Sequence, residues 1–245
     1  MTESIGQIDL EGALALLRAG ELEVEGRLID ASNATLFCTV TCDGVTAACV
    51  YKPVAGERPL WDFPDGTLAA REVAAFEVSS ATGWDIVPPT VLRDGPYGIG
   101  MCQLWIDVDE DVDLGVLARS GVEPLRRMAV FDAVVNNADR KGGHLLPLPD
   151  GHVYGVDHGV CFSVEDKLRT LLWGWQGKRL TDEALDVLAA LKADLDGSGR
   201  LARILRELLS RDEVWATERR IDRLLSTRRH PVPHGDWPPV PWPPF

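Results

Sequence analysis

The segment Phe131–Phe162, FDAVVNNADRKGGHLLPLPDGHVYGVDHGVCF, holds the residues best suited to chemistry. An apolar helix end, MAVFDAVV, runs into Asn136-Asn137-Ala138-Asp139-Arg140, followed by a glycine pair and a strand-like run, HLLPL. A second strand-like run, HVYGV, ends on Asp157-His158-Gly159. Asp139 and Asp157 stand eighteen residues apart, so a hairpin places them at matching ends. Two carboxylates in that setting suit phosphoryl transfer. One orients or deprotonates the attacking hydroxyl, and the other holds Mg²⁺ on nucleotide phosphates. Gly159 would free the backbone for a turn beside the metal.

The elements that must position these residues are legible from periodicity. Residues 9–19 read as a short amphipathic helix capped by Asp9. From Glu21 to Pro53, three β-rich runs are separated by turn signals at Asp30–Asn33 and Asp43-Gly44. A Pro/Gly loop covers 55–66, and a helix capped by Thr67 follows to about Thr82. Two more strands flank Asp94-Gly95. After Trp105 the pattern turns helical, at Leu114–Arg119, Glu123–Val135, Asp182–Lys192, Leu201–Leu209 and Asp212–Leu225. This is a two-lobe α+β layout. The division expected is a β-rich N-lobe over 1–103, a helical C-lobe with the hairpin over 104–230, and a Pro/Trp-rich arm over 231–245. The arm carries seven prolines, so it forms neither a helix nor a central strand. Trp237, Trp242 and Phe245 favour an arm packed by its aromatics over a free polyproline segment.

Composition narrows the function. With 38 acidic and 25 basic side chains, the formal net charge is −13. That disfavours a nucleic-acid binder, which needs a basic footprint, and docking on an anionic membrane. No apolar run reaches the length of a transmembrane helix, and the N-terminus lacks the basic start of a secretory signal. Cys38, Cys42, Cys49, Cys102 and Cys161 show no metal-ligand spacing and read as free thiols of a cytoplasmic protein. Asp107–Asp113 is an acidic run. It reads as a solvated loop, with recognition of a basic substrate as the alternative.

Asn137-Ala138-Asp139-Arg140 and Asp157-His158-Gly159 resemble the N-x-D-R loop and D-x-G metal motif of the phosphatidylinositol 3-/4-kinase-like superfamily. The likeness is greatest to its type II phosphatidylinositol 4-kinase branch, and in particular to an actinobacterial group within the superfamily. The order of elements from about Gly26 to Leu225 is similar too. The resemblance implies a bilobed protein-kinase-like fold, with Asp139 catalytic and Asp157 binding the metal. It matches Lys52, in Val50-Tyr51-Lys52-Pro53, to the strand lysine that contacts nucleotide phosphates. Glu72 matches the helix carboxylate that pairs with that lysine, with Glu77 as the alternative. The turn with Ser32 and Asn33 sits where a phosphate-covering loop belongs. Met101, Gln103, Leu104 and Trp105 fall in the stretch whose backbone would hydrogen-bond adenine.

One position departs from the pattern. Kinases carry an asparagine about five residues after the catalytic aspartate as a ligand to a second metal, and here that residue is His144. Imidazole favours softer ions than Mg²⁺, so His144 points to Mn²⁺ or to a role in proton transfer. The function expected is transfer of the γ-phosphoryl group of ATP, with Mg²⁺ or Mn²⁺, to a hydroxyl of a soluble acceptor such as a protein or small molecule. The negative charge favours that over a lipid acceptor. A nucleotide-binding pseudokinase and a kinase-like AMP transferase are the alternatives.

Overall fold

Period-two alternation builds the N-terminal sheet. In LFCTVTC and VTAACVYKP every second residue is apolar, and burial of the central ones places Cys38, Val40, Ala47, Cys49 and Tyr51 on one face. The computed structural model describes residues 9–28, 33–235 and 237–245. Ser32 lies outside the described residues. By contact the chain divides into two units, Met1–Val73 with Pro88–Ile106, and Ala74–Val87 with Asp107–Phe245.

The first unit holds α1 (Leu10–Ala19), β1 (Glu21–Arg27), β2 (Leu36–Cys42), β3 (Val45–Pro53), β4 (Thr90–Gly95) and β5 (Gly98–Leu104). All strand pairs are antiparallel, in the order β1-β2-β3-β5-β4. Asp9 caps α1 by accepting from Gly12 N at 2.8 Å. Asp43 and Gly44 both take positive φ, the two-residue turn that matches strand twist, and fix the register Cys42 to Val45. Leu16 and Leu17 of α1 cover Cys38, Cys49 and Cys102. These thiols are fully buried and free. Hydrogen bonding among them, reinforced by burial, raises the Cys38 pKa and pushes Cys49 to about 12, so both stay protonated and unreactive.

Helix α2 (Leu68–Thr82) begins in the first unit and ends in the second. Its start is not capped by Thr67, the residue its sequence suggests. Glu57 accepts from Leu68 N and Ala69 N, while Thr67 Oγ1 donates to Pro64 O. Its later part groups with the helices because Glu77 pairs with Arg200 at 3.1 Å and Ser79 Oγ accepts from Ile86 N and Val87 N. The boundary expected at residue 103 places all of this helix in the first unit; by contact the segment from Ala74 to Val87 lies in the second.

The second unit adds α3 (Leu114–Ala118), α4 (Glu123–Val135), β6 (Leu145–Pro147), β7 (Val153–Gly155), α5 (Asp182–Leu195), α6 (Arg200–Leu208) and α7 (Arg211–Thr227). Helix α4 is buried through most of its length, and α7 starts with a Ser210–Glu213 capping box. The fold class is α+β. Among the described residues, no helix is long and apolar enough to cross a membrane.

Buried His230 stacks on Trp175, and its Nε2 has no hydrogen-bond partner among the described residues. Burial, with Arg126 and Lys178 nearby, lowers its pKa to about 4. An unfolded histidine titrates near 6.5, so below that pH the unfolded chain binds a proton that the folded chain refuses. Stability is therefore expected to fall as pH drops from 6.5 to about 4, by at most about 3 kcal/mol from this group. Denaturant unfolding of the wild type and His230→Gln between pH 7 and 4.5 checks this. The variant is expected to show the shallower loss, and equal slopes would refute the assignment.

Candidate active site

Helix α4 ends at Asn136, which takes the left-handed conformation at φ 53°. Its amide group is fully engaged, donating to Ser163 O and Glu165 O and accepting from Lys167 N. Asn137 Oδ1 accepts from Asp139 N at 2.9 Å, while Asn137 Nδ2 donates to Asp132 Oδ1 at 3.1 Å. Both asparagines thus set the path of the loop that presents Asp139. The Asp139 carboxylate lies 3.0 Å from Lys141 Nζ, and both side chains are about one-quarter exposed.

A tight turn over Gly142–His144 leads into β6. Strands β6 and β7 pair with Leu145 opposite Gly155, and Val156 N donates to His144 O at 3.1 Å. Asp157 follows in the left-handed region at φ 62°, a conformation that is rare for a non-glycine residue and occurs where a site constrains the chain. The freedom that the sequence suggests for Gly159 is thus taken by Asp157 itself. The hairpin sets His144 Nε2 3.4 Å from Asp157 Oδ2.

Asp139, His144 and Asp157 each offer one donor atom, and these atoms lie within 4.8 Å of one another. Two carboxylate oxygens and one imidazole nitrogen fit a hard to borderline divalent cation. Burial lowers the His144 pKa, opposed by Asp157, which favours the neutral ring that a ligand needs. The donor set is therefore competent for Mg²⁺ or Mn²⁺, with Asp139 added to the two ligands read from the sequence.

Beneath both loops lies a buried ionic network: Arg140 stabilises the loop through a carboxylate, the structural role its sequence position favours over a substrate contact, and the partner that the sequence did not single out is Asp132. Arg140 and Asp132 are fully buried and pair at 2.9 Å. Arg140 also donates to Val156 O at 3.1 Å and meets His158 Nε2 at 2.6 Å. One guanidinium therefore ties the residue after Asp139 to the residues on either side of Asp157. The signal was present: Asp132 is a lone carboxylate inside the apolar run MAVFDAVV.

In the first unit, period two turns Lys52 to the sheet face opposite Cys49 and Tyr51. Its Nζ lies 2.8 Å from Glu72 Oε1, and the Glu72 side chain is buried. Glu77, the alternative partner, pairs with Arg200. Asn33 Oδ1 accepts from Arg58 N at 2.9 Å and so holds the loop that follows β3.

The stretch proposed for adenine looks different. Met101 and Gln103 are buried in β5, a strand paired on both sides, and Gln103 Nε2 donates to Thr90 Oγ1 at 2.8 Å. Leu104 N donates to Pro89 O and Trp105 N to Ala48 O. These two amides are committed within the sheet, which corrects the expectation that they would bind a base. The Trp105 ring stands edge-on to Phe37, with centroids 5.0 Å apart.

Protein Rv2133c of Mycobacterium tuberculosis (strain ATCC 25618 / H37Rv) is 49% identical over 266 residues, covering 94% of this chain and 95% of that protein. The chain belongs to the Rv2133c family. No protein-family model matches it. Outside the Rv2133c family, phosphatidylinositol 4-kinase gamma 4 of Oryza sativa subsp. japonica is 29% identical over 154 residues, 54% of this chain and 27% of that protein. The Arabidopsis thaliana protein of the same name is 30% identical over 161 residues, 54% of this chain and 28% of that protein. The chain therefore spans just over a quarter of each plant protein. Among solved structures, the Helicobacter pylori proinflammatory kinase CtkA has a TM-score of 0.53 at 14% identity, over 86% of this chain and 94% of that one. The fold of this chain is thus kinase-like.

Proposed function

We propose that the protein transfers the γ-phosphoryl group of ATP to a hydroxyl of a soluble acceptor. The observation that carries this reading is the convergence of Asp139, His144 and Asp157 at one end of a hairpin. A divalent cation held there would neutralise charge on the transferring phosphoryl group. Asp139 accepts the proton of the acceptor hydroxyl as its oxygen bonds to the γ-phosphorus and the bond to the β-bridging oxygen breaks. Lys141, 3.0 Å from that carboxylate, supplies positive charge beside it. Lys52 presents a point charge to the phosphates, and buried Glu72 holds its ammonium in place.

The partial likeness to plant proteins named as phosphatidylinositol 4-kinases supports phosphoryl transfer. The net charge of −13 favours a soluble acceptor over a lipid on an anionic surface.

The test is incubation with γ-labelled or α-labelled ATP in the presence of basic proteins and of phosphatidylinositol vesicles. Label from γ-ATP on protein is the expected result. Label from α-ATP would mean nucleotidyl transfer, label on lipid would overturn the soluble acceptor, and no label from either nucleotide would favour a binding module. His144→Asn is expected to lower the ratio of activity with Mn²⁺ to activity with Mg²⁺. An unchanged ratio would remove His144 from the metal set.

A further inference from the structure

The Pro/Trp-rich arm of the second unit is held by its backbone. Pro239 O accepts from Thr170 N at 3.0 Å and from Trp173 Nε1 at 2.9 Å, and Pro238 O accepts from Arg169 Nε at 3.1 Å. Lys167 Nζ lies 4.8 Å from the centre of the Trp237 ring. On its other side, the 169–171 segment pairs with the loop after Asp139. Arg140 N donates to Arg169 O and Leu171 N to Arg140 O. The arm is therefore the outer layer of an extended stack whose inner layer is the catalytic loop.

Its last residues act on that loop directly. Pro244 O accepts from Gly142 N at 2.8 Å. The Phe245 ring rests on the Gly142 Cα so closely that a Cβ there would lie 2.0 Å from two ring carbons. Gly142 and Gly143 open the turn that carries His144, and two glycines in sequence fix no conformation of their own. The turn is closed by His144 N donating to Lys141 O and Leu145 N to Gly142 O, and Val156, just after β7, reaches it at His144 O, while Pro244 and Phe245 add a hold at its first residue.

We propose that Pro244 and Phe245 are positioning residues for the metal-ligand set, clamping the Gly142–His144 turn so that His144 faces Asp157. This rests on the reading of Asp139, His144 and Asp157 as a cation site. Phe245 is 54% exposed, so its ring adds little to global stability. Its effect is local, on a ligand whose placement matters to a fraction of an ångström.

The experiment is titration of the full chain with Mn²⁺ alone, followed by electron paramagnetic resonance, with thermal unfolding in parallel. Phe245→Ala is expected to weaken Mn²⁺ binding about 10- to 100-fold, the range for groups that orient a metal ligand, with an unchanged unfolding midpoint. Gly142→Ala should give the same loss, because the new methyl displaces the ring. Adding Phe245→Ala to it should weaken binding no further, and Phe245→Tyr should bind as the wild type does. Wild-type affinity in Phe245→Ala, or a loss seen only together with a lower unfolding midpoint, overturns the proposal. If the wild type binds no Mn²⁺, or if Asp157→Ala binds it equally well, the cation site itself falls and the clamp's role falls with it.

Discussion

Asp139→Asn is expected to lower phosphoryl transfer by about 10³-fold while ATP affinity stays within a factor of about three. The substitution is nearly isosteric. The loop would keep its path, because it is set by Asn136, by the Asn137 side chain that accepts from the residue 139 amide, and by the buried Arg140. What disappears is the negative charge and the capacity to take a proton from the acceptor hydroxyl. The amide also removes one charged oxygen from the set shared with His144 and Asp157, and leaves Lys141 facing a neutral group. The phosphate contact proposed for Lys52 lies in the other unit and depends on Glu72, so nucleotide binding should persist. Single-turnover transfer and equilibrium binding of a fluorescent ATP analogue separate the two effects. Turnover within tenfold of the wild type would end the assignment of Asp139, and joint loss of binding and transfer would show a structural role.

The parts legible in the sequence are those whose position is a matter of local counting. Period two in β3 fixes which face Lys52 occupies, and the Asp43-Gly44 turn locks the register that keeps it there. The eighteen-position step from Asp139 to Asp157 fits two short strands and a turn, which is what β6 and β7 form. The adenine stretch is not legible in this way, because its Leu104 amide is taken by Pro89 at the base of the same hairpin and its Trp105 amide by Ala48, which lies in β3, outside the hairpin. The arm illustrates the same limit. Its aromatic residues suggest burial, yet Trp242 is 84% exposed and proline carbonyls make the anchoring bonds. Carbonyl oxygens occur at every residue, so composition cannot mark where they will be used. The motif around Asp139 drew attention to charged groups that face solvent, while the charged pair that holds the motif lies underneath it.

That pair yields the largest expected effect on stability. Asp132→Ala is expected to destabilise the fold by about 3–5 kcal/mol, the range for removing one partner of a buried ion pair. Arg140 is fully buried, so without Asp132 its charge has neither water nor a carboxylate. The same substitution strips an acceptor from Asn137 Nδ2 and Thr170 Oγ1, two further buried donors. Against a typical total of 5–15 kcal/mol this is a large fraction, and it corresponds to a fall in Tm of roughly 6–20 °C at this chain length. Asp132→Asn should be little better, because its amide nitrogen would place a donor against the guanidinium. The double variant Asp132→Ala, Arg140→Ala removes the stranded charge together with its partner, so it is expected to lose clearly less than the sum of the two single variants. Denaturant unfolding of the four proteins gives this coupling directly. Additive losses, or a loss below about 1 kcal/mol for Asp132→Ala, would mean that the loops of Asp139 and Asp157 are held by backbone pairing alone. Strong coupling would mean that both halves of the proposed metal site hang on one guanidinium. The geometry supports the second outcome, since Arg140 reaches Asp132, Val156 O and His158 at once.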